Sequence, residues 1–247
     1  MSRCLAATLF LLAIGCGTGT GGEGAVGEIE AAADRFQRLY NSGLLYFHID
    51  DLDRAERALR EAVSFRGADP KPYFYLARIY LRQKQYARAE TALGEALVRD
   101  PEFIGASLLL AEVYFQSQRL EEGMRHIEDL LESHPGTAEI FYYRGRMLET
   151  LGRLNEAATA YEDLLRRDAD HLEGRFHLGL TRMKEKDWPS ARREFETVLE
   201  RDPEHFGALF NLAKVQAGLG DEEERVAVLQ RFRDLVDRTE TQIYRDT

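Results

Sequence analysis

Apolar residues recur along this chain with helical spacing, in short blocks separated by polar turns. In the stretch PKPYFYLARIYLRQKQYARAETALGEALVRDPEF, residues 70–103, one block sets Tyr73, Leu76, Ala77 and Tyr80 on a common face, and the next does the same with Ala89, Leu93, Ala96 and Leu97. Two such blocks around a polar turn predict a helical hairpin. The pattern returns every 34 residues without an insertion, giving six units at 36–69, 70–103, 104–137, 138–171, 172–205 and 206–239.

The columns of the repeat have a mechanical reason. Position 8 reads Gly43, Ala77, Ala111, Gly145, Gly179 and Ala213, while position 24 reads Leu59, Leu93, Ile127, Tyr161, Phe195 and Leu229. Position 20 is Ala55, Ala89, Gly123, Ala157 and Ala191, then Arg225. Small residues let two helices approach, and the bulky one fills the groove beside them. A lone hairpin leaves one apolar face bare, so stacking on the next is needed to bury it. Asp100-Pro101, His134-Pro135 and Asp202-Pro203 close three of the units. Proline there cannot continue the outgoing helix and suits the first turn of the next, with Asp placed to cap it.

These columns resemble the tetratricopeptide repeat, whose pattern asks for a bulky residue at 4, Leu at 7, Gly or Ala at 8, Tyr at 11, Ala at 20 and 27, a large side chain at 24 and Pro at 32. Tyr73, Leu76, Ala77, Tyr80, Ala89, Leu93, Ala96 and Pro101 match throughout. The resemblance implies an all-α fold, a right-handed α-solenoid of six helical hairpins. Arg144, Arg175, Arg182 and Gln216 depart from it, polar residues in columns that are usually buried, so looser or shifted packing is expected there. The last unit carries Glu222, Arg225 and Arg233 in such columns and reads as a solvating cap, with Val226, Leu229, Phe232 and Val236 left as its apolar face.

In the family, the first helix of each hairpin lines a concave face that holds a protein or peptide. Carried over residue by residue, this puts the ladder Tyr40, Phe74, Leu108, Tyr142, Phe176 and Phe210 in the groove, with Phe115 from a second column and Arg78 and Arg146 from a third. Such a surface suits a segment with hydrophobic anchors and a few carboxylates. The same rings also serve packing in the family, and both arginines are equally able to pair with nearby acids. The Lys and Asn set with which some members grip a terminal carboxylate is missing, since no Lys stands in the ladder column and no Asn in the column of Arg78.

The formal net charge of −10 argues against a nucleic-acid footprint, which needs a basic face. The two cysteines, Cys4 and Cys16, both precede the repeats. Residues 1–15 carry Arg3 and then an apolar run too short to span a bilayer but fit for a signal-peptide core. The run ends Leu12-Ala13-Ile14-Gly15-Cys16, which resembles a bacterial lipobox with Ala13 where Leu is usual. That resemblance implies cleavage, lipidation of Cys16 and, from Gly17, the periplasmic side of the outer membrane. An ordinary signal peptide giving a secreted or periplasmic protein is the alternative. Residues 16–27 then read as the lipidated cysteine and a glycine-rich linker, 28–239 as the repeats and 240–247 as a tail.

Chemistry finds little foothold. Gly22 to Gly27 spells a dinucleotide fingerprint, but no strand precedes it. His48, His126, His134, His171, His177 and His205 lack metal-ligand spacing, and Asp221 to Glu224 belongs at a helix N-terminus. No enzyme, cofactor, metal or small-molecule substrate is expected. The reading is a non-catalytic interaction scaffold or assembly factor, tethered to the envelope and binding a protein segment. In layout it resembles the lipoproteins that assemble secretins of type IV pili, and a periplasmic adaptor of cell-wall enzymes is a further alternative.

Overall fold

The computed structural model describes residues 21–65 and 67–245, with side chains from 31 to 238 apart from 66. The expected signal peptide and Cys16 lie outside the described residues. Every regular element among them is a helix. In chain order these are α1 (Gly21–His48), α2 (Leu52–Phe65), α3 (Pro70–Arg82), α4 (Tyr86–Arg99), α5 (Ile104–Gln116), α6 (Leu120–Ser133), α7 (Ala138–Thr150), α8 (Leu154–Arg167), α9 (Leu172–Lys184), α10 (Trp188–Arg201), α11 (Phe206–Leu219) and α12 (Glu222–Arg245). The second helices, α2 to α12, all begin at the same repeat position, as do the first helices from α3 onward. The chain divides between Pro101 and Glu102 into two compact units, the first holding α1 to α4 and the second α5 to α12.

Two local expectations are corrected. Gly21 to Gly27, assigned to the linker, is the start of α1. Each glycine costs a helix about 1 kcal/mol, but extending a helix already nucleated further along needs no new nucleus. Pro101 and Pro203 sit in the turns rather than in the first turn of the next helix, and Asp202 accepts from the Glu204 amide at 3.2 Å inside its turn. The capping falls instead to His171 and His205, whose Nδ1 atoms accept from the Gly174 and Ala208 amides at 2.9 and 3.0 Å. Asp69 and Asp187 cap α3 and α10 in the ordinary way.

All six hairpin turns pass through the left-handed region at the same repeat position, at Asp50, Lys84, Gln118, Gly152, Lys186 and Gly220. Only two of these are the glycine that this backbone favours. In the three hairpins with glycine at position 8, that residue faces position 24. A Cβ on Gly43 would come within 2.6 Å of Leu59, one on Gly145 within 2.5 Å of Tyr161, and one on Gly179 within 2.8 Å of Phe195. Leu59, Tyr161 and Phe195 are fully buried, so the small column exists to admit the large one.

Two of the four polar departures are accommodated by ion pairs. Arg175 pairs with Glu194 at 3.0 Å, and Arg182 is held by Glu162 and by Glu185. Gln216 is buried with its Oε1 unpartnered, and Arg144 leaves its Nε without a partner. Trp188 lies over the backbone of Gly218 and packs against the α10–α12 core. On α12 the buried residues are Val228 and Leu235, whereas Val226 is 57% exposed. Leu229 and Phe232 are half-buried against the same core and Val236 is half-buried, so of the expected face only Val226 is open, because only the side of the last helix towards α11 has anything to bury against.

Candidate functional site: the inner faces of the two units

Curvature follows from which helices touch. In the first unit the backbone of α1 meets that of α3, and in the second α5 meets α7, α7 meets α9 and α9 meets α11, while no two second helices of one unit approach backbone to backbone. First helices thus form an inner layer in each unit, and second helices splay apart outside it.

On the first unit's inner layer the rings of Tyr40 and Phe74 both pack against Tyr75, at 6.0 and 5.5 Å between centroids. The Arg78 guanidinium lies 4.7 Å from the Phe47 ring, 5.4 Å from Tyr75 and 5.9 Å from Phe74. Arg82 shares Phe47 at 4.4 Å and pairs with Asp50 at 2.7 Å. Tyr40, Phe74 and Arg78 therefore belong to one cation–aromatic cluster. Burial, with Tyr75 and then Asp69 adding repulsion, pushes the Tyr40 hydroxyl up to about 12, so it stays protonated. Among the described residues no carboxylate pairs with Arg78.

The second unit differs. Arg146 stacks on Phe115 at 4.0 Å and lies 5.5 Å from Tyr142, but its Nη1 donates to Glu112 at 3.2 Å, and both side chains are mostly buried. It is not an isolated cation. A half-buried guanidinium takes the nearest acid, and Glu112 stands one repeat before it in the same column. Leu108 is half-buried against the core, and Phe176 is tied to Phe195 and His205 at 5.8 and 4.8 Å. Phe210 is 46% exposed, with the Lys214 ammonium 4.1 Å over its ring. The ladder is thus divided, with Phe176 closed by packing and Phe210 open.

Beside Tyr142 lies an ionic cluster around the mostly buried Glu149 that the sequence reading missed. Glu149 accepts from Lys184 Nζ at 2.7 Å, from His177 Nδ1 at 3.1 Å and from the Tyr161 hydroxyl at 3.1 Å. Burial alone would raise its carboxyl, yet the bonds from His177 and Lys184 outweigh burial and hold it down at about 2. Tyr161 is pushed well up, by burial first and then by Glu149. The signal was there, because Glu149 and Lys184 occupy adjacent columns of neighbouring repeats on the inner helices. Among the described residues no group of three or more His, Cys, Asp or Glu could hold a metal ion, and no helix is long and apolar enough to cross a membrane.

Three family models described as tetratricopeptide repeat match residues 36–69, 81–142, and 124–171 with 176–237. The chain is a tetratricopeptide repeat protein. Among solved structures, pilF of Pseudomonas aeruginosa aligns with a TM-score of 0.70 at 14% identity, over 84% of this chain and 99% of that one. A tetratricopeptide repeat protein of Parabacteroides merdae gives 0.64 at 18% identity, over 85% and 88%. YrrB, whose title describes an unusual peptide-binding site, gives 0.55 at 18%, over 74% and 98%. At such identities the likeness establishes the fold. A curated relative, protein O-mannosyl-transferase TMTC3 of Homo sapiens, is 23% identical over 159 residues, 63% of this chain and 17% of that protein's length. The tetratricopeptide repeats thus account for the first helices lining each inner face, while the rings and charges on those faces are this chain's own.

Proposed function

We propose that this tetratricopeptide repeat protein is a non-catalytic scaffold that captures a segment of another protein on its inner faces, and that lipidated Cys16 tethers it to the periplasmic side of a bacterial outer membrane. The observation carrying the first half is the cluster around Arg78, a guanidinium held among three rings with no carboxylate of its own. Rings at this spacing accept apolar anchors, and a stacked arginine without an acid accepts a carboxylate. The peptide-binding site named for YrrB is in keeping with this use of the fold. The tether rests on the residues Leu12 to Cys16 alone.

A role in assembling a type IV pilus secretin is the second reading, favoured by the likeness to pilF over nearly the whole of that chain. Affinity purification from crosslinked, detergent-solubilised envelopes tests the scaffold, with a Phe74→Ala/Arg78→Ala variant alongside. One dominant partner lost in the variant is expected. The same partners with both proteins would remove the inner face from consideration. Cys16→Ala should move the protein to the soluble fraction, and continued membrane association would refute the lipid anchor.

A further inference from the structure

The splay that brings first helices together on the inner side opens slots on the other. In the first unit the backbones of α2 and α4 stay apart, joined across the rim by Arg88 and Glu56, and between them lies a cavity of about 480 Å³ with α3 as its floor. That size falls within the range of pockets that bury a ligand. Buried Leu76, Tyr80 and Ala92 form its base, and Val63 and Tyr73 its walls. The polar ends of the two tyrosines are already engaged, since the Tyr73 hydroxyl meets Arg99 at 2.8 Å and the Tyr80 hydroxyl donates to Glu56 at 3.0 Å. What remains on offer inside is apolar surface.

The rim carries the charge. Glu56 Oε1 receives Tyr80, Arg88 at 2.5 Å and Arg60 at 3.4 Å. Three donors on one carboxylate oxygen exceed what its lone pairs hold well, and the longest contact, from Arg60, is the surplus one. Arg88 is pinned, because its guanidinium also lies 3.9 Å from the Tyr80 ring. Arg60 is 65% exposed and can swing to a second carboxylate. Glu95, the remaining rim acid, is neutralised by Arg99 at 2.6 Å. The rim is therefore one positive charge in excess, on a chain whose net charge is −10.

The same slot recurs four repeats later with the charge reversed. A cavity of about 320 Å³ lies among α10, α11 and α12, where Leu212 and Val228 stand for Leu76 and Ala92, but Glu196 replaces Arg60 and Glu224 replaces Arg88. Arg192 pairs with Glu196 at 2.7 Å, and Glu200 and Glu224 against Arg231 leave that rim one negative charge in excess. Tyr80 becomes Gln216, whose buried Oε1 has no partner. One backbone geometry thus carries two opposite rims.

We infer that the α2–α4 slot is a second binding site, separate from the inner face, which takes a bulky apolar side chain of a partner's protein segment together with a neighbouring carboxylate on Arg60. The occupant is an acidic amphipathic segment because the base is apolar, the spare rim charge is positive, and a trough between two helices suits a chain laying anchors along it. The α10–α12 slot rejects that segment by like charge.

The test uses the full chain, labelled for NMR, with the blocked tetrapeptide Ac-Glu-Phe-Leu-Glu-NH2, its Gln-for-Glu twin and decanoate as probes. Saturable shifts of the Ser64, Thr91 and Ala92 amides are expected with the acidic peptide, without matching shifts at Glu200 and Val228. The acidic peptide should bind roughly two- to fivefold tighter than its twin, the range of an exposed ion pair. Arg60→Gln should erase that preference, and Thr91→Trp, an exposed site at the mouth, should abolish binding with helicity unchanged. The inference is overturned by absent binding, by equal shifts at both slots, by binding that survives Thr91→Trp, or by decanoate binding where the peptide does not. Phe74→Ala/Arg78→Ala should leave these shifts unchanged, which separates failure here from failure of the inner-face reading.

Discussion

Gly179→Ala is a demanding test of the packing rule inside the hairpins. The new Cβ would lie 2.8 Å from Cε1 of Phe195 and 3.0 Å from two further ring atoms, and Phe195 is fully buried with no room to withdraw. Overpacking of this kind costs about 1–3 kcal/mol, against about 1 kcal/mol regained by replacing a helical glycine. The expected net loss is roughly 0–2 kcal/mol. Gly94→Ala on α4 is the matched control, because nothing lies within 4 Å of its Cβ, and it should gain about 1 kcal/mol. A compensating pair exists elsewhere in the chain, since the same two columns hold Ala77 with Leu93 and Ala111 with Ile127, all fully buried. Phe195→Leu alone opens a void, but combined with Gly179→Ala it should restore part of the loss, with a coupling of about 1–2 kcal/mol. Urea unfolding followed by far-UV circular dichroism reads all four proteins. If Gly179→Ala is stabilising like Gly94→Ala, or if the double variant is simply additive, the rule that position 8 is small to admit position 24 is wrong.

The left-handed turns predict opposite signs at one repeat position. Lys186→Gly should gain about 0.5–1 kcal/mol, because an L residue there costs about 1–2 kcal/mol and glycine returns part of this as chain entropy, whereas Gly152→Ala should lose a similar amount. Glu149 sets an acid limit. Its folded value of about 2 lies below the ordinary 4.5, so its contribution is present above 4.5 and is lost as the pH falls towards 2. It amounts to about 2–3 kcal/mol after allowance for solvent screening, and Glu149→Gln should flatten the stability profile in that window. Gln216→Leu removes a buried oxygen without a partner and should stabilise the chain by about 1 kcal/mol in thermal melts.

Part of the candidate site was legible in the sequence and part was not. The columns placed Tyr40, Phe74 and Arg78 on one inner layer, and the structure gathers them around Tyr75 and Phe47. They did not reveal that Arg146 is neutralised by Glu112 or that Phe176 is closed by His205. A column states which way a helix presents a residue, but not which side chain of the neighbouring helix reaches it first.

The sequence by itself determined the helical hairpins, their period, and the alternation of small and large residues that lets each pair close. All of these depend on local spacing along one or two turns of helix, so the apolar pattern states them directly. Tertiary structure decided the rest: the left-handed conformation at Lys84, Gln118 and Lys186, the exposure of Val226 on α12, the Glu149 cluster, and the slots whose rims carry opposite excess charge. The physical reason is one of range. Burial within a hairpin is set by residues three or four apart, whereas ion pairs and slots arise between side chains a repeat apart, where curvature and reach select the partners.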